Sequence, residues 1–312
     1  MDLSVILPTH NPHPGRLRRT LAGLRAQTLA PARWETVLVD NASNPAIERD
    51  ACASDAPAAL RIVRETELGL TAARRRGLAE TNSPVIVLVD DDNVLAPDYL
   101  ERIVTLFAAH ERVGALGGKS VPEFESSPPA WTREFNGLIA CRDLGPVAQI
   151  SHGLRPAGST RNEYPLFAPI GAGMALRRAA VQTWLAGAQR GGPTDRRGGE
   201  LTSGGDNDII LHAMKSGWEV GYFPELSLTH LIPAGRLERD YLARLNRGIA
   251  KSWVQVLARH DACPWRPIAP WTVPLRQRKA WFNYRPWAGP AEYIRWQGAC
   301  GHFEGLATLN RT

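Results

Sequence analysis

An apolar run that ends in carboxylates constrains this chain most. Pro84-Val85-Ile86-Val87-Leu88-Val89 leads directly into Asp90-Asp91-Asp92-Asn93. A short run rich in β-branched side chains and bounded by polar residues reads as a buried strand, here over 85–89. Three acidic groups at its C-terminal end repel one another unless a positive charge stands among them. Hard divalent cations such as Mg²⁺ and Mn²⁺ prefer oxygen ligands and meet that need. In an open α/β sheet, ligands bind in the crevice outside the carboxyl ends of the strands. The run therefore points to a metal site holding a phosphate-bearing ligand, or to a solvated acidic turn that opens the next helix.

The surrounding sequence keeps an α/β rhythm. Residues 3–7, 36–39 and 60–63 read as strands. Helices are expected on the stripe Leu17, Leu21, Leu24, over 70–80, and over 97–110. In the last, Pro97 suits the first turn and Leu100, Ile103, Val104 and Phe107 form one face. A strand over 113–116 follows. This alternation predicts a largely parallel sheet with helices on both faces. After Gly118 the rhythm breaks. Residues 119–165 hold prolines and scattered aromatics without a sustained period, and read as loops and short elements walling a site. A Gly-rich apolar segment returns over 168–176, then a helix over 177–186, a polar loop over 187–205 and a helix over 206–216. Short strands over 219–223 and 226–229 precede a long amphipathic helix over 238–260. Leu242, Leu245, Ile249, Trp253 and Val256 lie on one side of that helix, with Arg244, Arg247 and Lys251 opposite.

A length of 312 residues suits one large α/β domain with an appendage, or two small domains. No stretch approaches the ~18 apolar residues of a membrane span. The N-terminus lacks a basic leader and reads as a first strand, not a signal peptide. Cys52, Cys141, Cys263 and Cys300 are far apart with no CxxC pair. Structural zinc and a disulfide framework are thus not expected, and a reducing cytoplasm fits best. The net charge of +6 is uneven. From Pro233 onward there are 13 Lys/Arg against 5 Asp/Glu and six of the ten tryptophans. Such a tail suits peripheral contact with an anionic surface, membrane or polymer. Stacking on acceptor sugars, or packing of the rings back onto the domain, are its other readings. No nucleic-acid-binding motif is present, so nucleic acid is not an expected partner.

Several motifs follow one another along residues 3–232. They are Ser4-Val5-Ile6-Leu7-Pro8-Thr9-His10-Asn11, Leu38-Val39-Asp40-Asn41-Ala42-Ser43 and the stretch Gly69-Leu70-Thr71-Ala72-Ala73-Arg74-Arg75-Arg76-Gly77. Then come Asp90-Asp91-Asp92, Gly171-Ala172-Gly173-Met174, Gly205-Asp206-Asn207-Asp208 and Leu228-Thr229-His230. Together they resemble the family 2 glycosyltransferases, a large inverting group with the GT-A fold. The resemblance implies metal-dependent transfer of a sugar from a nucleotide diphosphate sugar, a UDP-sugar by preference, to a hydroxyl of a glycan or lipid-linked glycan.

The same resemblance implies roles for particular residues. Pro8, Thr9 and Asn11 border the nucleotide base. Asp40 accepts a hydrogen bond from the uracil imide, as an acceptor-only carboxylate can. Arg74 lies near the base and phosphates. Asp90 contacts the ribose or assists the metal, Asp91 belongs with the donor-binding set, and Asp92 binds Mn²⁺ or Mg²⁺ directly. His230 completes the metal shell, for which imidazole is an acceptable ligand. Gly173 lies under the donor sugar, where a small residue lets the ligand approach the backbone. Arg236 is positioned to close over the diphosphate. Asp206 matches the general base that takes the acceptor hydroxyl's proton, its plainer reading being a helix N-cap. Arg75 stands where the family commonly has asparagine, and Gly205 where an acidic residue is usual. The implied organisation is a GT-A domain over 1–232, with a nucleotide-sugar half at 1–118 and an acceptor half at 119–232. A basic, Trp-rich helical extension covers 233–312. Two rivals remain at this level. A sugar-1-phosphate nucleotidyltransferase would need a Gly-rich basic loop that is missing after Leu7. A non-catalytic carbohydrate-binding protein could keep the same fold.

Overall fold

The computed structural model describes residues 1–52, 54–156, 158–187 and 203–309. Strands β1 (Leu3–Thr9), β2 (Trp34–Asn41), β3 (Leu60–Glu65) and β4 (Val85–Leu88) pair in parallel, in the order β3-β2-β1-β4. Every residue of β1 and β4 is buried, as expected of strands covered on both faces. Alternate β1 side chains feed two separate cores. Val5 and Leu7 pack with Leu21 and Leu24 of α1 (Pro14–Arg25) and with Leu100, Ile103 and Phe107 of α3 (Tyr99–Ala109). Ile6 points the other way, toward Ala73 and Leu78 of α2 (Leu70–Ala79).

Beyond β4 the sheet becomes mixed. It adds β5 (Asn93–Leu95), β6 (Val113–Phe124), β7 (Gln149–Ser151), β8 (Ala175–Arg177) and β9 (Glu219–Ile232). The full order is β3-β2-β1-β4-β8-β6-β9-β5, with β7 also on β9. Strand β8 runs antiparallel to both β4 and β6. The largely parallel expectation therefore holds for the first four strands and for the β6–β9 pair, and fails at β8, β5 and β7. The three antiparallel strands have three residues each, too short for a period to register.

The irregular wall expected over 119–165 is partly strand, because β6 runs on to Phe124. The two short strands expected over 219–229 are one, β9, which Pro224 interrupts without ending. The register with β6 shifts between Gly117 and Lys119, opposite that proline. Gly118 makes the irregularity possible: a Cβ there would stand 2.0 Å from the Leu226 carbonyl oxygen and 2.5 Å from that of Phe223. No side chain fits so close to two carbonyls. This bulge lets β9 continue to His230, which pairs with Asn93 of β5 and so reaches the acidic end of β4.

Helices α4 (Arg178–Gly187) and α5 (Gly205–Lys215) pack beneath the sheet, with Trp184, Ile209 and Ile210 in the second core. The expected polar loop over 187–205 lies mostly outside the described residues. A third core joins Ile232, Leu237, Leu242, Leu245 and Ile294 to Phe135 and Ile139 of a 3₁₀ segment, Ala130–Ile139. It anchors the C-terminal helices α6 (Arg239–Arg259) and α8 (Pro290–Thr308), and α7 (Val273–Tyr284) rests on α8. All four cysteines are free thiols.

Candidate functional site

The carboxyl ends of β1 and β4 open into a cleft of about 310 Å³, within the size range of small-molecule sites. Asp90, Asp91 and Asp92 line it on one side, with Pro8, Thr9 and His10 beside them. His230 and Arg236 close the far side, and Tyr241 and Leu245 of α6 complete the wall. Residues distant in sequence thus meet because β4, β9 and α6 all end or begin here.

Asp92 is the hub. Its Oδ1 lies 3.3 Å from His230 Nε2, and its Oδ2 lies 3.0 Å from an Arg236 guanidinium nitrogen. Asn93 donates its side-chain amide to Asp92 Oδ1 at 3.0 Å. Asp91 takes a short hydrogen bond from the Thr9 hydroxyl. Burial, and after it the neighbouring Asp92 charge, push the Asp91 carboxyl up to about 6. Burial works against the Arg236 charge, but Asp92 foremost, with Asp90 and Asp91, holds it raised. The cleft therefore concentrates negative charge and answers it at Asp92 with the Arg236 guanidinium.

Whether a hard cation suits this place depends on the donors. Carboxylate oxygens with one imidazole form a donor set for Mn²⁺ or Mg²⁺. His230 Nε2 also meets an Arg236 guanidinium nitrogen at 3.2 Å, while its Nδ1 is buried with no hydrogen-bond partner. The donor types suit a divalent ion, although both Asp92 oxygens already meet His230, Asn93 and Arg236. Removing the organic cation exposes the repulsion. Arg236→Gln is expected to lower the midpoint of thermal unfolding, by about 2 kcal/mol of stability, less than a fully buried pair because Arg236 keeps 21% of its side chain exposed. Differential scanning calorimetry of the two proteins without added metal checks this; an unchanged midpoint would mean that the three carboxylates do not depend on Arg236.

Arg74 joins the cleft to Asp206. It is buried, and its guanidinium lies 3.9 Å from Asp90 Oδ1. Asp206 sits in the first turn of α5, where the partial positive charge of a helix N-terminus suits an anion. Its Oδ2 accepts the Gly171 N–H at 2.9 Å. The N-cap is Gly204, so Asp206 is not the cap. A Cβ on Gly171 would stand 2.6 Å from the Arg74 guanidinium and 3.3 Å from Asp206 Oδ2, so only glycine leaves room between them.

Other expected positions fall elsewhere. Asp40 does not line the cleft. Its Oδ1 accepts Ser43 N–H at 3.0 Å, and its Oδ2 accepts Ile47 N–H at 3.2 Å and the Arg64 guanidinium at 2.5 Å. Burial opposes that carboxylate, but these hydrogen bonds and the Arg64 charge outweigh it and hold Asp40 below its ordinary value. Both oxygens are engaged within this turn, and Asp40 is buried outside the cleft. Asn11, with φ 45°, turns away to accept Asn44 N–H and lines a separate groove with Leu17 and Ile47. Gly173, with φ 74°, gives its carbonyl to the Tyr99 hydroxyl and is held by packing, outside the cleft. The neighbours do face it: His10 for Asn11, and Asn41 for Asp40. His10 Nδ1 bonds the Asn41 carbonyl at 2.7 Å, and Asn41 Oδ1 accepts Gly69 N–H at 2.8 Å. Leu245 reads from the sequence only as part of the apolar stripe of an amphipathic helix, Tyr241 lies off that stripe, and nothing in their spacing marks either as a cleft residue.

Among the described residues, Asp208, His212 and His260 form a further group with metal-ligand spacing. Its bonds are already made: His260 Nε2 lies 2.8 Å from Asp208 Oδ1, and Trp184 Nε1 donates to Oδ2 at 3.0 Å.

A family model for glycosyl transferase family 2 matches residues 4–185. The chain is 31% identical over 103 residues to the uncharacterized glycosyltransferase YwdF of Bacillus subtilis, a span of 33% of this chain and 37% of that protein. It is 28% identical over 78 residues to the glucosyl-dolichyl phosphate glucuronosyltransferase of Haloferax volcanii, 25% of each chain. The chain covers only 25% to 37% of the length of these two curated relatives. Among solved structures, the mannosyltransferase PcManGT from Pyrobaculum calidifontis, in complex with GDP-Man and Mn²⁺, superposes with a TM-score of 0.56 at 18% identity. That match covers 99% of this chain and 87% of the other. S. aureus TarS 1–349 in complex with UDP gives 0.51 at 13% identity, over 100% and 91%. At such identities the likeness is one of fold, and the fold is the one expected.

Proposed function

Because the chain belongs to glycosyl transferase family 2, we propose that it moves a sugar from a nucleotide diphosphate sugar to a hydroxyl of a glycan or lipid-linked glycan, with inversion. One observation carries the reading: Asp90, Asp91 and Asp92 share a cleft with His230 and Arg236, and Arg74 links that cleft to Asp206. Asp206 takes the acceptor hydroxyl's proton as its oxygen attacks the anomeric carbon. The bond from that carbon to the diphosphate oxygen breaks, and the nucleoside diphosphate leaves on the opposite face. Arg236 and Arg74 supply fixed positive charge beside the leaving diphosphate. Asp92 and His230 would hold a divalent cation, which supplies Lewis-acid stabilisation of the same charge. The similar structures hold UDP in one case and GDP-Man with Mn²⁺ in another. UDP remains the first donor to try, although Asp40 does not supply the contact that pointed to it.

A thermal-shift screen of UDP- and GDP-sugars with and without Mn²⁺ tests the proposal. A donor at about a hundred times its Kd raises the apparent stability of the folded state by ~2.7 kcal/mol. The expected result is a shift that needs Mn²⁺ in the native protein and is lost in Asp92→Ala. No shift with any donor, or pyrophosphate release from a nucleoside triphosphate, would count against it.

A further inference from the structure

We propose that the C-terminal helices dock on an anionic bilayer surface through the outward face of α7 and the turns beside it. Residues 262–291 carry five Lys/Arg (Arg266, Arg276, Arg278, Lys279 and Arg285) and no Asp/Glu. The same stretch exposes Trp271 (74%), Leu275 (62%), Phe282 (59%) and Trp287 (58%). Leu275 and Phe282 are seven residues apart, so they share one stripe of the helix with Lys279 between them. The inward side of α7 is already packed. Ala280 is buried there, Gln277 Nε2 donates to Glu304 Oε1 at 3.0 Å, and Trp296 Nε1 donates to the Gln277 carbonyl at 3.3 Å. Trp281 meets the Trp296 ring edge-on at 4.8 Å. The exposed rings are therefore a second face, not a core left open.

The chemistry of that face selects its occupant. Aromatic rings settle at the headgroup level of a bilayer. Lys and Arg beside them gain from anionic lipid within a Debye length. A second copy of this chain would set two all-cationic faces against each other, which is repulsive. No helix among the described residues is long and apolar enough to cross a membrane, so the contact is superficial. The face is also well placed. Helix α7 rests on α8, α8 packs along α6, and α6 contributes Tyr241 and Leu245 to the cleft. A bilayer under α7 would hold the cleft at a fixed height above lipid. The inference stands apart from the sugar-transfer reading, since binding is measured without a donor.

The test is sedimentation of the full chain with vesicles, one set of phosphatidylcholine and one with about one lipid in four replaced by phosphatidylglycerol. The protein is expected to pellet with the anionic vesicles alone, and the bound fraction to fall severalfold as salt is raised. Leu275→Ser/Phe282→Ser/Trp287→Ser is expected to abolish binding. Arg276→Glu/Arg278→Glu/Lys279→Glu is expected to weaken it by more than about tenfold. All six side chains are exposed, and their ring contacts and hydrogen bonds are confined to the surface pairs Trp287 with Trp281 and Arg276 with Thr272, so circular dichroism should stay native and unfolding midpoints close to native in both variants. Protein that remains in the supernatant with anionic vesicles at low salt overturns the proposal. So does a native protein that self-associates in light scattering while the triple serine variant is monomeric.

Discussion

Asp206→Asn is expected to reduce sugar transfer by about 10²–10⁴-fold, the range for losing a positioned general base. A thousandfold loss corresponds to about 4 kcal/mol of transition-state stabilisation. The substitution is chosen because it changes little else. The amide has the size of the carboxyl, and its oxygen can still accept the Gly171 N–H that now meets Oδ2 at 2.9 Å. Asp206 does not line the cleft, so donor affinity should be unchanged and the loss should fall on kcat. An isotopically labelled donor and a calorimetric Kd for the nucleoside diphosphate, measured on the same samples, separate the two effects. Transfer within tenfold of native, with the donor still bound, would remove Asp206 from the base role. Loss of donor binding as well would instead assign it to holding Arg74, whose guanidinium shares the space around Gly171.

The parts legible in the sequence are those written by local periodicity. The buried runs of β1, β2 and β4 and the stripes of α1 and α3 follow from residues a few positions apart. The acidic end of β4 was legible for the same reason. What escaped depends on contacts between distant residues. Three-residue strands such as β8 have no period. The continuity of β9 through Pro224 depends on Gly118, about a hundred residues earlier. In the first two motifs Pro8 and Thr9 line the cleft as expected, but beyond them the cleft-facing residue is one step from the expected one. His10 and Asn41 face it, while Asn11 and Asp40 do not. A motif marks a turn, but which of two adjacent polar side chains points inward is decided by the partners waiting on each side. For Asp40 those partners are Ser43, Ile47 and Arg64.

His260→Ala is expected to destabilise the protein by about 3–5 kcal/mol, the cost of stripping one partner from a buried charged group. Asp208 and His260 are each 2% exposed. With the imidazole gone, Asp208 Oδ1 loses its donor from the end of α6 and keeps only the more distant His212 Nδ1 at 3.7 Å, while Trp184 still serves Oδ2. A cavity the size of the ring adds to the loss. Urea midpoints at constant slope would measure it, and His260→Gln, which can still offer an N–H, should recover part. The effect should reach activity too. Helix α6 lies along the start of α5: the Ser252 hydroxyl bonds the Ser203 carbonyl, and a Cβ on Gly204 would come within 3.0 Å of Val256. Asp206 stands two residues before Asp208 in that same first stretch of α5. Helix α6 therefore walls the cleft with Tyr241 and Leu245 at one end and braces the proposed base at the other, so His260→Ala should lower kcat more than donor affinity. Chelation distinguishes the bracing role from metal binding at Asp208, His212 and His260. Under bracing, EDTA leaves the native unfolding midpoint where it was; a drop in the native protein that His260→Ala does not share would mean that an ion, not a hydrogen bond, ties the two helices.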